Sequence, residues 1–251
     1  MKIVEALWER RNLEMEVTEI VLDSRDLENE SNTLEILRER LVPRRYLLVK
    51  VPTGAVAFLT KLQALGFIFL ECQYTISRKI KNYVIPPEFS PLARRVSFEP
   101  LSEDPAEWAE LCRLIGDDTF TTDRVALDPL FNLSVANKRY RNWLMDMKGN
   151  PSITVTRIQY GEKSIGFFAG SIDAETRTAH GLIGGIFKKY QGTGLGGSII
   201  LGPLVLNAAR EMNKFSTAIS SNNFEVFQWY VFFNFHIDNA SYVFRCYRDE
   251  K

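Results

Sequence analysis

Ile186-Phe-Lys-Lys-Tyr-Gln-Gly-Thr-Gly-Leu-Gly-Gly-Ser198 is the stretch of this 251-residue sequence that decides the fold. An apolar run from His180 to Phe187 predicts a strand before it, and Ser198 to Arg210 predicts a helix after it. A strand that turns through glycines into a helix places free backbone N–H groups at the positive end of a helix dipole. Such a turn binds phosphate or pyrophosphate, because glycine lets the backbone approach the anion closely.

Several interpretations of these glycines compete. The stretch is not a P-loop, because no Gly-Lys-Ser or Gly-Lys-Thr follows. Gly192, Gly194 and Gly197 have the spacing of a dinucleotide-binding fingerprint, but the loop lies too near the C-terminus for the strand–helix units that such a fold still needs. A flexible glycine turn without a ligand stays open, since a lone glycine motif is weakly specific.

The side chains around the glycines carry a family resemblance. Gln191-x-x-Gly194-x-Gly196, five residues after Ile186, resembles the acetyl-coenzyme A signature of the GCN5-related N-acetyltransferases. The resemblance implies that acetyl-CoA is the co-substrate and that backbone amides from Gln191 to Gly196 hold its pyrophosphate. It also implies that the backbone of Ile186 and Lys188 pairs with the pantetheine arm.

A second segment, Asn223-Phe-Glu-Val-Phe-Gln-Trp-Tyr230-Val-Phe-Phe-Asn234-Phe235, resembles the partner signature of that family, with Asn234 in place of the usual glycine. Asn234 is predicted to end the helix in a left-handed cap, because asparagine is the second-best residue for it. The resemblance implies that Tyr230 protonates the departing thiolate, and that Asn223 contacts the pantetheine. A phenol suits the acid role because its ordinary pKa of about 10 keeps it protonated at neutral pH. A core aromatic is the alternative for Tyr230. The residues that the resemblance assigns to the coenzyme are Ile186, Lys188, Gln191, Gly192, Thr193, Gly194, Leu195, Gly196, Gly197 and Asn223.

The general base stays open at this stage. His180, on the strand that leads to the loop, could accept a proton directly or through water, and a structural histidine is the alternative. His236 is a weaker candidate, and a water-filled path to solvent would also serve.

The acceptor side is predicted at the polar and aromatic loop of residues 117–133 and the helix after it. Phe120-x-x-x-Arg124, Asp128-Pro-x-Phe131 and Tyr140-x-x-Trp143 resemble the acceptor region of the nucleotide-sugar amine acetyltransferases, which include the TDP-fucosamine acetyltransferases. The resemblance implies N-acetylation of a dTDP-linked amino-dideoxy sugar for surface polysaccharide synthesis.

In that assignment Phe120, Arg124 and Asp128 bind the substrate. Arg124 suits a diphosphate and Phe120 can cover a base or sugar face. Pairing of Arg124 with Asp123 or Asp128 is the alternative. The competing functions are an acetyltransferase for a protein N-terminus or small amine, and a non-catalytic acyl-CoA-binding module.

The order of predicted elements after residue 95 matches the acetyltransferase fold, and includes a helix from Ser134, its predicted cap, to Met147. We expect a mixed α+β protein with three α/β/α layers and a central, mostly antiparallel sheet. Residues 1–85 repeat a strand–helix–strand unit without a phosphate loop and predict a truncated, ligand-free acetyltransferase-like domain. The charge-rich segment at its start predicts one helix, from Thr33 to Leu41. The proline-containing segment 86–94 predicts a linker, and 95–251 the acetyltransferase domain.

Bulk composition excludes several classes. Lys plus Arg and Asp plus Glu both number 31, which argues against nucleic acid as a partner. No apolar run reaches the length of a membrane span, and charges come too early for a secretory signal, so we expect a cytoplasmic protein. Three scattered cysteines and two histidines give no support to a disulfide framework or a metal site. A homodimer is a further expectation.

Overall fold

The structure, a computed structural model that describes residues 1–249, contains a ten-stranded sheet with helices packed on both faces. The strands are β1 (Lys2–Glu5), β2 (Glu16–Val21), β3 (Arg45–Pro52), β4 (Ile68–Lys79), β5 (Val96–Pro100), β6 (Ile153–Tyr160), β7 (Lys163–Asp173), β8 (Thr178–Ile186), β9 (Lys214–Ser220) and β10 (His236–Cys246). The helices are α1 (Arg10–Leu13), α2 (Ser24–Glu28), α3 (Glu30–Glu39), α4 (Val56–Ala64), α5 (Ser90–Ala93), α6 (Pro105–Leu114), α7 (Leu133–Asp146), α8 (Ser198–Ala209) and α9 (Phe224–Phe232). The predicted fold class is confirmed.

The strand order across the sheet is β1-β2-β3-β10-β4-β9-β8-β7-β6-β5. Within the described residues, only β2–β3 and β8–β9 run parallel, and the other neighbouring strands are antiparallel. The sheet is therefore mixed and mostly antiparallel, as expected.

The middle of the sheet interleaves strands from the two ends of the chain. β10 lies between β3 and β4, pairing Val243 with Lys50 on one side and with Glu71 on the other. β4 in turn lies between β10 and β9. The predicted division at residues 86–94 stays a prediction, and the strands on either side of it form one continuous sheet.

The repeated strand–helix–strand unit has the same helix end in both copies. Gly66 and Asn234 follow α4 and α9 with φ of +92° and +53°. The next residue closes the cap in each case: Phe67 N–H donates to Leu62 O at 3.1 Å, and Phe235 N–H donates to Tyr230 O at 3.0 Å. The predicted left-handed cap at Asn234 is confirmed, because asparagine tolerates this conformation next best after glycine.

Two details depart from the sequence-based expectations. Strands β1 and β2 occupy a segment in which we predicted only a helix from Thr33 to Leu41, because their many charged side chains hide the apolar alternation. Ser134 does not cap α7. Asn132 does, since its Oδ1 accepts a hydrogen bond from Val135 N–H at 3.0 Å.

The alternation of strand side chains gives the sheet two apolar layers around β8. Ile186 packs with α8 and with Phe215 of β9 on one face. Ile183 packs with α6 and α7 on the opposite face. Strand β8 is thus buried on both faces, and a cleft next to this strand is lined by residues of both apolar layers.

Candidate active site

The candidate site lies where β8 and β9 separate. β8 has nine residues, but only Thr178, Ala179 and His180 pair with β9. Thr217 Oγ1 donates to Gly181 O at 3.1 Å at the point of separation. Beyond it a cleft of about 640 Å³ opens between the strands. The parallel pair therefore ends in a wedge, with backbone exposed along both walls.

The β8 wall of this wedge presents unpaired backbone groups. Phe187 N–H donates to Ile165 O at 2.9 Å, toward β7. Because successive residues of a strand point their N–H groups in opposite directions, the N–H groups of Ile186 and Gly184 face the cleft. An extended ligand can pair with this edge as an additional strand would.

The glycine loop presents a row of free amides. Within residues 1–249, no group accepts a hydrogen bond from the six consecutive backbone N–H groups of 192–197. The loop leads directly into α8, which has twelve residues and no side-chain cap. Six uncapped donors at the positive end of a helix are the arrangement with which helix N-termini bind anions.

The shape of the loop depends on its glycines and on Gln191. Gly192 and Gly194 have φ of +74° and +80°, and space is open where a side chain would stand. Gln191 Nε2 donates to Ile186 O at 2.9 Å and to Thr119 O at 3.1 Å. The glutamine of the signature thus joins the loop both to the end of β8 and to the loop on the acceptor side.

Trp229 of α9 packs directly against the same loop. A Cβ added to Gly196 would lie 3.0 Å from its Nε1, and one added to Gly197 would lie 3.0 Å from its ring carbons. The two glycines therefore let the second signature helix approach the anion loop closely.

Tyr230, the next residue, reaches the point where the strands separate. It lines the cleft, and its phenol lies near the Thr217 hydroxyl. Burial raises the pKa of Tyr230 to about 12, and the Thr217 hydroxyl opposes that rise. The phenol is consequently held protonated at neutral pH, at the apex of the wedge.

Phe120 and Tyr140 form the wall of the cleft that the sequence predicts for the acceptor. Their rings stack with centroids 3.9 Å apart, and both line the cleft together with Trp143. Phe120 lies so close to β8 that a Cβ on Gly185 would be 2.8 Å from its ring. Burial raises the pKa of Tyr140, and the neighbouring Asp123 carboxylate raises it further.

A single buried amide holds this wall in place. Asn137 Oδ1 accepts from Phe120 N–H at 2.8 Å, while its Nδ2 donates to the carbonyl oxygens of Asp117 and Phe120. Thr119, in the same loop, lines the cleft with a buried hydroxyl that has no hydrogen-bond partner in the described chain.

Not every residue assigned from the sequence comes to this cleft. Those that line it are Phe120, Ile186, Gln191, Gly192, Gly194, Gly196, Asn223 and Tyr230. Thr193, Leu195 and Gly197 contribute backbone N–H groups to the loop, although Thr193 turns its hydroxyl to Tyr190 O and Leu195 is buried beneath. Lys188 begins a short 3-10 turn with its side chain in solvent.

Arg124 and Asp128 lie away from the wedge. Arg124 is 3.6 Å from Glu19 and lines a second cavity of about 510 Å³ against the N-terminal strands. Asp128 is buried, accepting hydrogen bonds from Tyr46 and Arg245. Both side chains are occupied by the protein itself, because the loop that carries them folds back onto β2, β3 and β10.

The two histidines do not line the cleft either. His180 is exposed on β8 just before the strands separate. His236 is exposed at the start of β10, with Nε2 3.2 Å from Asp238. His180 was predicted as a candidate base because it is a polar residue in an apolar stretch. Thr119, Asn137 and Thr217 were not predicted, because isolated polar residues belong to no recognisable motif.

Two further absences hold for residues 1–249. No cluster of three or more histidine, cysteine or acidic side chains is arranged to hold a metal ion. No helix combines the length and apolar character needed to cross a membrane.

Comparison with known proteins gives the architecture a name. No protein-family model and no curated protein matches the chain. A GCN5-related N-acetyltransferase from Sphaerobacter thermophilus superposes with a TM-score of 0.63 at 9% identity, over 99% of this chain and 78% of that one. The fold is that of the GCN5-related N-acetyltransferases.

Two other structures with this acetyltransferase fold are similar. A tandem GNAT protein from the clavulanic acid biosynthesis pathway gives a TM-score of 0.53 at 14% identity, covering 92% of this chain and 74% of that one. A GCN5-related glucosamine N-acetyltransferase region of a fungal multi-domain β-N-acetylglucosaminidase gives 0.60 at 12% identity, covering 98% of this chain and 31% of that one. The wedge, the glycine loop and Tyr230 therefore lie in an acetyltransferase fold.

Proposed function

We propose that this protein transfers an acetyl group from acetyl-CoA to a primary amine. The observation that carries the proposal is the row of six unpaired amides at 192–197, which begins α8 beside the wedge between β8 and β9. A diphosphate fits these donors, and an extended pantetheine arm fits the unpaired edge of β8. Acetyl-CoA supplies a thioester carbonyl and a thiolate leaving group.

Tyr230 is the acid in this proposal. Its phenol lies at the apex of the wedge and stays protonated at neutral pH, so it can donate to a departing thiolate. The N–H groups of Ile186 and Gly184 on the β8 wall are donors for a carbonyl oxygen that becomes negative. Both roles use groups that the fold already holds in place.

The acceptor side favours an amine on a sugar ring. Phe120, Tyr140 and Trp143 offer stacked and tilted aromatic faces, which suit a ring that is apolar on one face. The similar fungal region is described as a glucosamine N-acetyltransferase, which supports the same acceptor class. Hydroxyl groups of such a ring would find Thr119 and Asp123 on the cleft wall.

A nucleotide-linked amino sugar is the narrower form of this proposal. It was inferred from Phe120, Arg124 and Asp128, of which only Phe120 lines the cleft. Arg124 faces Glu19 in the second cavity, so a diphosphate carried by the acceptor would have to displace that contact. Dimer formation also stays a prediction.

A ligand screen followed by turnover assays tests the proposal. Acetyl-CoA is expected to raise the melting temperature of the protein, because a ligand that binds only the folded state stabilises it. Release of free thiol is then measured with glucosamine, a TDP-linked amino-dideoxy sugar, spermidine and a peptide N-terminus. Turnover of either sugar supports an amino-sugar acceptor; turnover of the TDP form alone supports the nucleotide-linked one.

The same assays include outcomes against the proposal. Activity only on spermidine or on the peptide would replace the sugar by a small amine or a protein N-terminus. Binding of acetyl-CoA without turnover of any amine would indicate an acyl-CoA-binding module. If acetyl-CoA does not raise the melting temperature, the assignment of the glycine loop to coenzyme binding is wrong.

A further inference from the structure

Glu71, on strand β4 of the N-terminal half, is a buried carboxylate with an unused oxygen. Its side chain lies in the sheet with 3% of the residue exposed. Its Oε2 is buried and has no hydrogen-bond partner in the described part of the chain. Buried carboxylates normally have every oxygen satisfied, so an orphaned one needs an explanation.

The sheet register places Glu71 beside the cleft. Gln73 of β4 pairs with Ser220 of β9, so Glu71 is the diagonal neighbour of Ser220 on the same face. The Ser220 hydroxyl lies close enough to the Glu71 carboxyl group to lower its pKa, and Ser220 itself lines the cleft. The carboxylate is therefore next to a hydroxyl of the cleft wall.

Glu71 and Tyr230 approach β9 from opposite faces of the sheet. Ser220 points to the face of Glu71, whereas Thr217, an odd number of residues away, points to the other face. Tyr230 lies beside Thr217 on that other face. The phenol and the carboxylate therefore approach β9 from opposite faces.

The charged groups around Glu71 come from two elements. Burial raises the pKa of Glu71; the Ser220 hydroxyl and the Arg124 and Lys50 cations oppose this, and Asp123 adds to it. Arg124 and Asp123 belong to the loop of residues 117–133, which we call the acceptor loop. Lys50 belongs to β3 and lies in the same cross-strand row as Glu71. A carboxyl group whose pKa is raised holds a proton more readily than a solvated one.

We propose that Glu71 is a positioning residue for the acceptor: through the Ser220 hydroxyl it takes up the proton that the substrate ammonium must lose. This inference rests on the proposed acetyl transfer. The N-terminal half would then supply part of the chemistry of a cleft whose coenzyme wall belongs to the C-terminal half.

The proton and bond changes balance. The ammonium gives one proton to the Ser220 oxygen while the Ser220 hydroxyl proton passes to Glu71, leaving a neutral amine. The amine attacks the thioester carbonyl, so that a C–N bond forms and the C–S bond breaks. Tyr230 protonates the thiolate and regains a proton from the amide nitrogen. Glu71 later releases its proton to water. The net reaction converts the ammonium and acetyl-CoA into the amide, the free thiol of CoA and one proton.

Other carboxylates near the cleft are occupied or exposed. Asp123 Oδ1 accepts from the N–H groups of Val125 and Ala126, and its Oδ2 faces Arg139 at 3.5 Å. Glu225 is exposed in the first turn of α9. Within residues 1–249, Glu71 combines burial, a free oxygen and a link to the cleft.

The test compares Glu71→Gln with the unaltered protein across pH and with two kinds of amine. With an alkyl amine at pH 7 we expect kcat/KM to fall by about 10²-fold, the size of a lost general base. Above the pKa of the amine the deficit should shrink to within about threefold, because the free amine needs no base. An O-alkylhydroxylamine, which is neutral at pH 7, should be acetylated by both proteins at similar rates.

Ser220→Ala should reproduce this pattern, and it carries the test if Glu71→Gln fails to fold. Glu99→Gln, a strand carboxylate at the far edge of the sheet, is the control and should leave rates unchanged. An equal loss at every pH and with both amines would indicate a structural role and overturn the inference, as would no loss at all. If the unaltered protein acetylates no amine, the proposed function fails first, and this inference fails with it.

Discussion

Arg245 of β10 donates a hydrogen bond from Nη2 to Oδ1 of Asp128, 3.1 Å away, and both side chains are buried. Tyr46 of β3 donates to the other carboxylate oxygen at 2.7 Å. The acceptor loop is therefore fastened to two neighbouring strands through one carboxylate, at a distance from the wedge.

This contact makes Asp128 a stability residue in our prediction. Asp128→Ala leaves a buried guanidinium without its partner, and should lower the free energy of unfolding by about 3–5 kcal/mol, measured by urea denaturation. The control is Asp117→Ala, whose exposed pair with Arg141 should contribute about 1 kcal/mol or less. Unchanged stability with loss of acceptor binding would instead support the original assignment of Asp128 to the substrate.

Gly194→Asp tests the anion loop. A carboxylate among the free amides would occupy them and repel a diphosphate, so we expect the Kd for acetyl-CoA to rise at least tenfold, or about 1.4 kcal/mol. Gly149→Asp is the matched control, because Gly149 has a similar φ of +73° and equally open surroundings. Calorimetric titration of both variants separates the charge effect from the shared backbone strain; equal affinities would contradict the loop assignment.

Tyr230→Phe should lower kcat by about 10²–10⁴-fold and leave the Kd for acetyl-CoA unchanged. Since the pKa of Tyr230 is raised to about 12, the protonated acid persists as pH increases, and the pH–rate profile should show no falling limb near pH 10. Tyr83→Phe removes a buried tyrosine hydroxyl that has no hydrogen-bond partner in the described chain and lies outside the cleft, and it should not alter the rate. Full activity in Tyr230→Phe would exclude the acid role.

Gly185→Ala tests the acceptor wall. Its methyl group would stand 2.8 Å from the Phe120 ring and force that ring away from β8. We expect KM for the amine to rise about tenfold or more while acetyl-CoA affinity is retained. Gly116→Ala, directly before the loop that carries Phe120 and with contacts of 3.4 Å or longer, is the control. If only the affinity for acetyl-CoA changes, the substitution acts on the coenzyme side of the cleft, which would contradict the prediction.

A chain of residues 95–251 tests the predicted domain boundary. Its strands β9 and β10 would lack β4, the strand that lies between them in the sheet. We expect this fragment to be unfolded by circular dichroism, and to fold when mixed with residues 1–94. A folded, active fragment would show that the C-terminal half is independent after all.

The sequence predicted those features that depend on local pattern. The glycine loop before α8, the cap at Asn234 and the fold class follow from periodicity, glycine placement and two signatures, and the structure has all three. The predicted coenzyme residues Gln191 and Gly194 and the predicted acid Tyr230 lie together around one cleft. Their roles in binding and catalysis remain proposals.

What the sequence could not indicate depends on contacts between distant segments. Nothing near Asp128 indicates that Arg245, 117 residues later, will bury it. Glu71 lies in a half that was expected to carry no chemistry, and its link to Ser220 exists only because β4 pairs with β9. Long-range strand pairing is set by the whole fold, and no local motif reports it.

The position of β10 also bears on how the protein is made. As the chain leaves the ribosome, β3 and β4 are available long before β10. If β3 and β4 paired with each other, they would block the position that β10 takes between them. Open strand edges of this kind invite association between nascent copies. Because these contacts join residues nearly two hundred positions apart, folding should be slow and should benefit from chaperones that shield the unpaired edges.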